Sequence, residues 1–429
     1  MGRNGVLRNV GSLFSEKVIT LFLALLVNVL LARYLGAENF GKVALFQSIL
    51  MVCVLASDGG TRRVILTQKK DSLLVNRAVL ILRLIFSICI SAALIIFYEG
   101  VPSIQLVVIL LVSPLEMYLH HYERMMKNVY LARKRLLIFI IFSLLRCGLV
   151  VLYPSLEIIM LTFVAQQAVL WAVVGVKYRS EYKIPVKYRL RWKRVVSSVR
   201  VIALRGGFFW LSMLSLQIAF RLDQLLLANI VSVEASGLYM AAKRLMEQLV
   251  VLTTVLSTVM IPLLTRFSIS EREKMIAGIY AAAWLLGGFC SLIGYFMAPT
   301  VVQILYGDEY LVSGGMLGVM MLSAPFVLIA NLSGIFYAVN KSEKQAFYRN
   351  FITLIFSSIF IWFGVGVAGL QFAPWGFVGT YVFSSILSEF CNSVSRRNLY
   401  IKARSLKIVV NYKCWYAYVE ELRTIMLKV

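Results

Sequence analysis

Charged side chains set inside long apolar runs are where this 429-residue chain can do chemistry. Arg146 lies in IFSLLRCGLVV, flanked by apolar residues and too deep to snorkel to either surface. Arg221, Asp223, Lys243, Arg244 and Glu247 fall between Gly206 and Arg266, where two apolar runs flank the polar turn VSVEASG. Helical spacing sets Gln217, Arg221 and Gln224 at i, i+4 and i+7, which predicts one polar stripe and turns Asp223 toward a neighbouring helix. Lys243, Arg244 and Glu247 share one turn, with Glu247 in reach of either cation. Ionisable groups at this depth either line a polar path or pair across helices, and Arg221/Asp223 and Arg244/Glu247 suit both readings. Asp58 in ASDGG can cap a helix, balance Arg62 or serve as a coupling-ion site; Asp223 and Glu247 are the other candidates for a coupling or salt-bridge role. His120 and His121, beside Glu116 and Glu123, suggest proton coupling or a structural pair. Arg83 and Arg205, near the ends of their runs, are expected to snorkel.

The sequence offers no catalytic constellation. It has no C-x-x-C pair, no Asp-x-Asp site and no phosphate-binding G-x-x-x-x-G-K-[ST] loop, so neither a metal, a cofactor nor a nucleotide is expected. The six isolated cysteines read as small core residues.

A mean hydropathy of +0.82 with 60% hydrophobic residues places the chain among polytopic membrane proteins. A spanning helix needs about 20 mostly apolar residues. That rule predicts an all-α protein of about twelve transmembrane helices, near 11–33, 40–58, 78–98, 101–121, 136–153, 157–176, 204–230, 238–264, 278–304, 313–339, 350–370 and 374–394. The Lys and Arg collect in alternate connections, most densely between Lys177 and Arg200, whereas stretches such as Leu305–Val312 and Gln371–Pro374 have none. The positive-inside rule then puts both termini in the cytoplasm and accounts for the net charge of +24 without a nucleic-acid partner.

Residues 1–176 therefore form one six-helix lobe, 177–203 a basic cytoplasmic linker, 204–394 a second lobe and 395–429 a basic cytoplasmic or interfacial tail. A shift of 196 positions lays LLARYLGAENFG, Leu30 to Gly41, over LLANIVSVEASG, Leu226 to Gly237. Glu38/Glu234 and Gly41/Gly237 coincide, and the glycines are expected to supply a left-handed or close-approach backbone before the next helix. Two lobes entering the membrane in one orientation imply a pseudo-two-fold axis along the bilayer normal and a cavity between them.

The runs LLARYLGAENFGKVALFQSIL at Leu30–Leu50, RLDQLLLANIVSVEASGLYMAAKRLMEQLVVLTTVLSTVMIPLLTR at Arg221–Arg266 and PTVVQILYGDEYLVSGGMLGVMML at Pro299–Leu322 resemble the polysaccharide transporter family. This family comprises the O-antigen and exopolysaccharide flippases of the multidrug/oligosaccharidyl-lipid/polysaccharide exporter superfamily. Ala37 stands where the family often has Pro, and Ser232 where Gly is expected. The resemblance implies a flippase, not an enzyme, that moves an undecaprenyl-pyrophosphate-linked oligosaccharide for lipopolysaccharide or exopolysaccharide synthesis. It would work from the cytoplasmic to the periplasmic leaflet of a bacterial inner membrane by alternating access, driven by an ion gradient or the membrane potential. A polysaccharide polymerase and chain-length machinery are its implied partners. An anionic, hydroxylated headgroup needs cations and hydrogen-bonding groups along its path, which makes Arg146, Gln217, Arg221, Gln224, Lys243 and Arg244 the candidate cavity residues. The competing readings are a cation-coupled multidrug exporter, whose cavity should be acidic, a membrane polysaccharide polymerase or ligase, whose large outer loop is missing from this sequence, and the peptidoglycan-precursor flippase of a related family, which often has two helices more than the twelve expected here.

Overall fold

A bilayer leaves no water to satisfy backbone polar groups, so a chain this apolar must satisfy them within helices. The computed structural model describes residues 3–68, 73–97, 101–125, 127–182, 192–265 and 267–410, and among these the regular structure is helical throughout. It forms two compact units, Met1–Gln217 and Ile218–Val429.

The first unit contains α1 (Arg3–Ser57), α2 (Thr61–Thr67), α3 (Leu73–Phe97), α4 (Val101–Val112), α5 (Met117–Arg124), α6 (Asn128–Leu152), α7 (Leu156–Tyr182) and most of α8 (Trp192–Ala219). α1 packs along α6, while α4 packs against α3 and α7. The second unit contains α9 (Leu222–Ile230), α10 (Val233–Leu264), α11 (Ile269–Tyr306), α12 (Leu311–Met321), α13 (Ala324–Val339), α14 (Glu343–Ala368), α15 (Ala373–Ser385) and α16 (Ser393–Val410). α11 is its central post, against α12, α13 and α16, around a core that includes Leu264, Ile276, Tyr280, Leu332, Phe336 and Ile401. Large apolar side chains such as Ile96, Phe296 and Val367 point outward, as a lipid-facing surface requires.

Among the described residues eight segments are each long and apolar enough to cross a membrane, and α12 with α13, bent by 61°, makes a ninth. The expected twelve differ from these for local reasons. The first two expected spans run together in α1, which kinks at Gly36 (φ 71°, ψ 170°). α10 carries Lys243, Arg244 and Glu247, and α15 is only 13 residues long before a 3-10 turn at Leu387–Cys391. Each expected span nevertheless falls on a helical segment.

The repeat needs correction in its chemistry. The left-handed residue is Gly36, whereas Gly41 and Gly237 lie inside helices. Position 232, the partner of Gly36 under the 196-residue shift, is an extended serine whose hydroxyl accepts from the Ala235 amide at 3.0 Å and caps α10. An extended residue capped by its own hydroxyl needs no glycine, which explains why serine is tolerated there.

Two further departures concern the ends of the second unit. Its compact body starts at Ile218, so the first half of the expected seventh span belongs with the first unit: the Trp210 indole donates to the Leu55 carbonyl at 2.9 Å and packs on Phe86. The tail expected to be cytoplasmic or interfacial is, over Ser393–Val410, a helix packed on α11 with Ser395, Asn398, Ile401, Lys402, Ser405 and Ile408 buried. Residues 411–429, and 183–191 of the expected linker, lie outside the described residues.

Gly60, the left-handed residue before α2 (φ 79°), meets Gly206 of α8 backbone to backbone; a Cβ on Gly60 would sit 2.7 Å from the Gly206 carbonyl carbon. Gly206→Ala is expected to force these segments apart and cost about 1–3 kcal/mol. Thermal unfolding of the purified variant checks this, and an unchanged midpoint would contradict it.

Candidate functional site

Arg146 is 2% exposed on α6 and is held by α7. Its Nε donates to the Thr162 hydroxyl at 2.9 Å, and one terminal nitrogen donates to the Thr162 carbonyl at 3.2 Å and to Gln166 Oε1 at 2.6 Å. The guanidinium lies 3.7 Å from the Phe163 ring centroid. Among the described residues no carboxylate comes within ion-pair distance, so neutral dipoles and a ring face hold this cation. Thr162 and Gln166 are four apart in an apolar run, a signal for a docking face that sequence reading could have used.

Arg83, expected to snorkel, is instead fully buried where α3 meets the ends of α1 and α4. It pairs with Asp58 and, at 3.1 Å, with Glu116, and donates to Thr61 Oγ1 at 2.7 Å and the Ser113 carbonyl at 3.1 Å. Burial is affordable there because two carboxylates and two further acceptors replace water. Asp58 thus balances Arg83 rather than Arg62, and also caps α2 by accepting from Thr61 Oγ1 at 2.9 Å and the Arg62 amide at 3.2 Å. His120 sits between Arg83 (3.2 Å) and Glu123 (3.3 Å). A guanidinium only donates, so His120 Nε2 is the acceptor and Nδ1–H the donor toward Glu123, which also takes Arg135 at 2.7 Å. His121 packs against the Tyr178 ring. The side chain of Arg205 lies outside the described residues.

In the second unit the charges pair differently from their order in sequence. The chain turns at Phe220–Arg221 between α8 and α9, which breaks the expected stripe: Gln217 is exposed on α8, Arg221 precedes α9, and Gln224 is buried inside it. Asp223 pairs across helices with Lys243, whose ammonium lies 2.7 and 2.6 Å from the two carboxylate oxygens and 2.6 Å from the Phe220 carbonyl. The Tyr239 hydroxyl also donates to Asp223. Lys243 and Asp223 are 3% and 5% exposed, a closed and internally satisfied group. Glu247 instead joins Arg244 at 3.0 Å and Arg221 at 4.0 Å; these side chains are 29%, 11% and 11% exposed. The Gln224 amide is wholly buried, and neither its oxygen nor its nitrogen has a hydrogen-bond partner among the described residues.

Sequence reading missed a second buried network in this unit. Glu389, fully buried in the 3-10 turn after α15, accepts from Lys402 (2.6 Å), Asn398 (3.0 Å), Arg349 (3.3 Å) and Tyr337 (2.6 Å). Burial pushes the Lys402 ammonium down to about 8 against the raising effect of the adjoining carboxylate. Its members are spread over 66 positions from Tyr337 to Lys402, so no local spacing marks them.

Among the described residues no cluster of three or more His, Cys, Asp or Glu side chains is placed to hold a metal ion. The five described cysteines are free, and only Cys53 is buried.

Two all-helical units rich in apolar helices of membrane-crossing length make up a multi-pass membrane fold, one that is also seen in solved transporters of the MOP superfamily. The chain superposes on the lipid II flippase MurJ in an inward closed conformation with a TM-score of 0.67 at 14% identity, over 93% of this chain and 91% of that one. An inward-facing MATE-family multidrug resistance transporter gives 0.58 at 15% identity, over 92% and 99%. A MOP superfamily transporter from Pyrococcus furiosus, described by the reverse polarity of its binding pocket, gives 0.56 at 16%, over 92% and 96%. Over residues 6–268 the sequence matches the family described as polysaccharide biosynthesis protein, and the chain belongs to that family. No curated protein matches it in sequence.

Proposed function

We propose that the protein is a flippase that carries an undecaprenyl-pyrophosphate-linked oligosaccharide, an O-antigen or exopolysaccharide repeat unit, to the periplasmic leaflet of a bacterial inner membrane. The observation that carries this reading is the sign of the buried charge. Arg146 is a cation held, among the described residues, by neutral groups alone, and the second unit's cluster sets three cations, Arg221, Lys243 and Arg244, beside two carboxylates, Asp223 and Glu247. Positive charge inside spanning helices suits a pyrophosphate and repels a cationic drug. The description of the Pyrococcus furiosus neighbour likewise links reversed pocket polarity to a different function, and MurJ is described as the flippase of a lipid-linked substrate.

Both termini lie in the cytoplasm, and the protein works by alternating access without covalent chemistry. Moving an anionic headgroup outward is favoured by about 2.3 kcal/mol per charge per 100 mV of inside-negative potential, so no nucleotide is needed. Polymerase and chain-length proteins consume the product. The deciding experiment is deletion of the gene: surface polysaccharide should disappear while lipid-linked repeat units accumulate in the inner leaflet, and unchanged polysaccharide overturns the reading. Arg146→Ala, made at normal abundance, is expected to lower export at least about tenfold, the scale of one lost charge-assisted phosphate contact. Retained export in that variant would remove Arg146 from the transport path.

A further inference from the structure

The two ion-pair groups of the second unit differ in a way that assigns them different work. Asp223 is consumed: both its oxygens receive Lys243, Tyr239 adds a third donor, and the group is closed to solvent. Glu247 is arranged otherwise. It offers one oxygen to Arg244 at 3.0 Å and the other to Arg221 at 4.0 Å, so two guanidiniums from different elements converge on a single carboxylate. The carboxylate is also the most exposed of the three, at 29% against 11% for each arginine. A carboxylate that straddles two arginines occupies the position that one phosphoryl group of a pyrophosphate would take, because each offers a pair of anionic acceptor oxygens to the planar forks of the guanidinium N–H groups.

We infer that Glu247 is an internal stand-in for substrate: it neutralises Arg221 and Arg244 while the site is empty and gives them up to a pyrophosphate group when one arrives. This rests on the flippase reading and assigns its pyrophosphate subsite. The exchange keeps both arginines paired with an anion at every stage. The arginines are never left uncompensated in the membrane, which would be costly. On release, Glu247 returns and displaces the phosphate, so binding stays weak enough for the substrate to leave, as transport demands. The single carboxylate bridging two arginines is thereby a setting of affinity rather than a fixed brace.

The test measures binding to the full-length protein in nanodiscs, with farnesyl pyrophosphate and inorganic pyrophosphate as probes. Glu247→Gln keeps the shape and removes the competing charge. It is expected to bind both probes at least about tenfold more tightly than the parent, with the prenyl probe the tighter of the two if the lipid adds affinity. In complemented cells the same variant is expected to export less, since its substrate is released slowly. Arg244→Gln should weaken both probes by a similar factor. A brace that only held α9 to α10 would lose stability on Glu247→Gln and bind no better, so unchanged or weaker binding overturns the inference. If Glu247→Gln does not accumulate, Glu247→Asp serves: its shorter carboxylate cannot span both arginines, and absence of any gain in affinity is equally decisive. Tighter probe binding in a protein whose deletion leaves polysaccharide unchanged would keep the anion site and discard the flippase reading. Normal export with unaltered probe binding would do the reverse.

Discussion

Asp223→Ala is expected to strip folded protein from the membrane, at a cost of about 3–5 kcal/mol, the range for removing one partner of a buried pair. Lys243 would keep its ammonium 2.6 Å from the Phe220 carbonyl but lose both carboxylate oxygens, and the Tyr239 hydroxyl would lose its acceptor. At 3% exposure Lys243 cannot recover solvation by turning outward. The paired replacement Asp223→Leu with Lys243→Met removes both charges together and is expected to restore most of the loss, because the penalty comes from the stranded ion rather than from the missing bridge. Membrane abundance and the thermal midpoint of the purified variants separate these outcomes. A single variant within about 1 kcal/mol of the parent would show that the pair is not structural.

Glu389→Ala is expected to have a comparable effect on the other network, and its mark is the release of α16. Glu389 is the common acceptor for groups on three helices: Tyr337 on α13, Arg349 on α14, and Asn398 and Lys402 on α16. Its removal leaves two cations and two neutral donors facing one another in a dry interior, at a cost of several kcal/mol. Lys402→Met should be much milder, since Arg349, Asn398 and Tyr337 still satisfy the carboxylate and the methionine fills the space. Limited proteolysis gives the readout. Cleavage within 393–410 should appear in Glu389→Ala and remain slow in Lys402→Met, and equal protection in both would contradict this account.

The contrast between these networks shows how far the residue pattern could be read. Arg146 and the charges from Arg221 to Glu247 stood out at once, because a charge in an apolar run is visible in a window of about 20 residues. Glu389 was passed over although it falls within the run expected at 374–394; Tyr337 and Arg349 lie 52 and 40 positions before it, Asn398 and Lys402 fall in the stretch expected to be a tail, and no local spacing ties the four to it. Arg83 was misplaced for a related reason. Its position near the end of a run suggested escape to the surface, but Asp58 and Glu116, 25 and 33 positions away, hold it inside.

The amino-acid sequence by itself determined the class of protein, the approximate helical segments and which side chains had to be accounted for, because hydropathy and helical period are local sums over neighbouring residues. Only the tertiary structure decided who pairs with whom. The turn at Phe220–Arg221 breaks the register of an otherwise continuous apolar stretch and gives Asp223 to Lys243. Glu247 is thereby left between Arg221 and Arg244. Ion pairing depends on the rotation and depth of each helix against its neighbours, and a single break changes both for every residue beyond it.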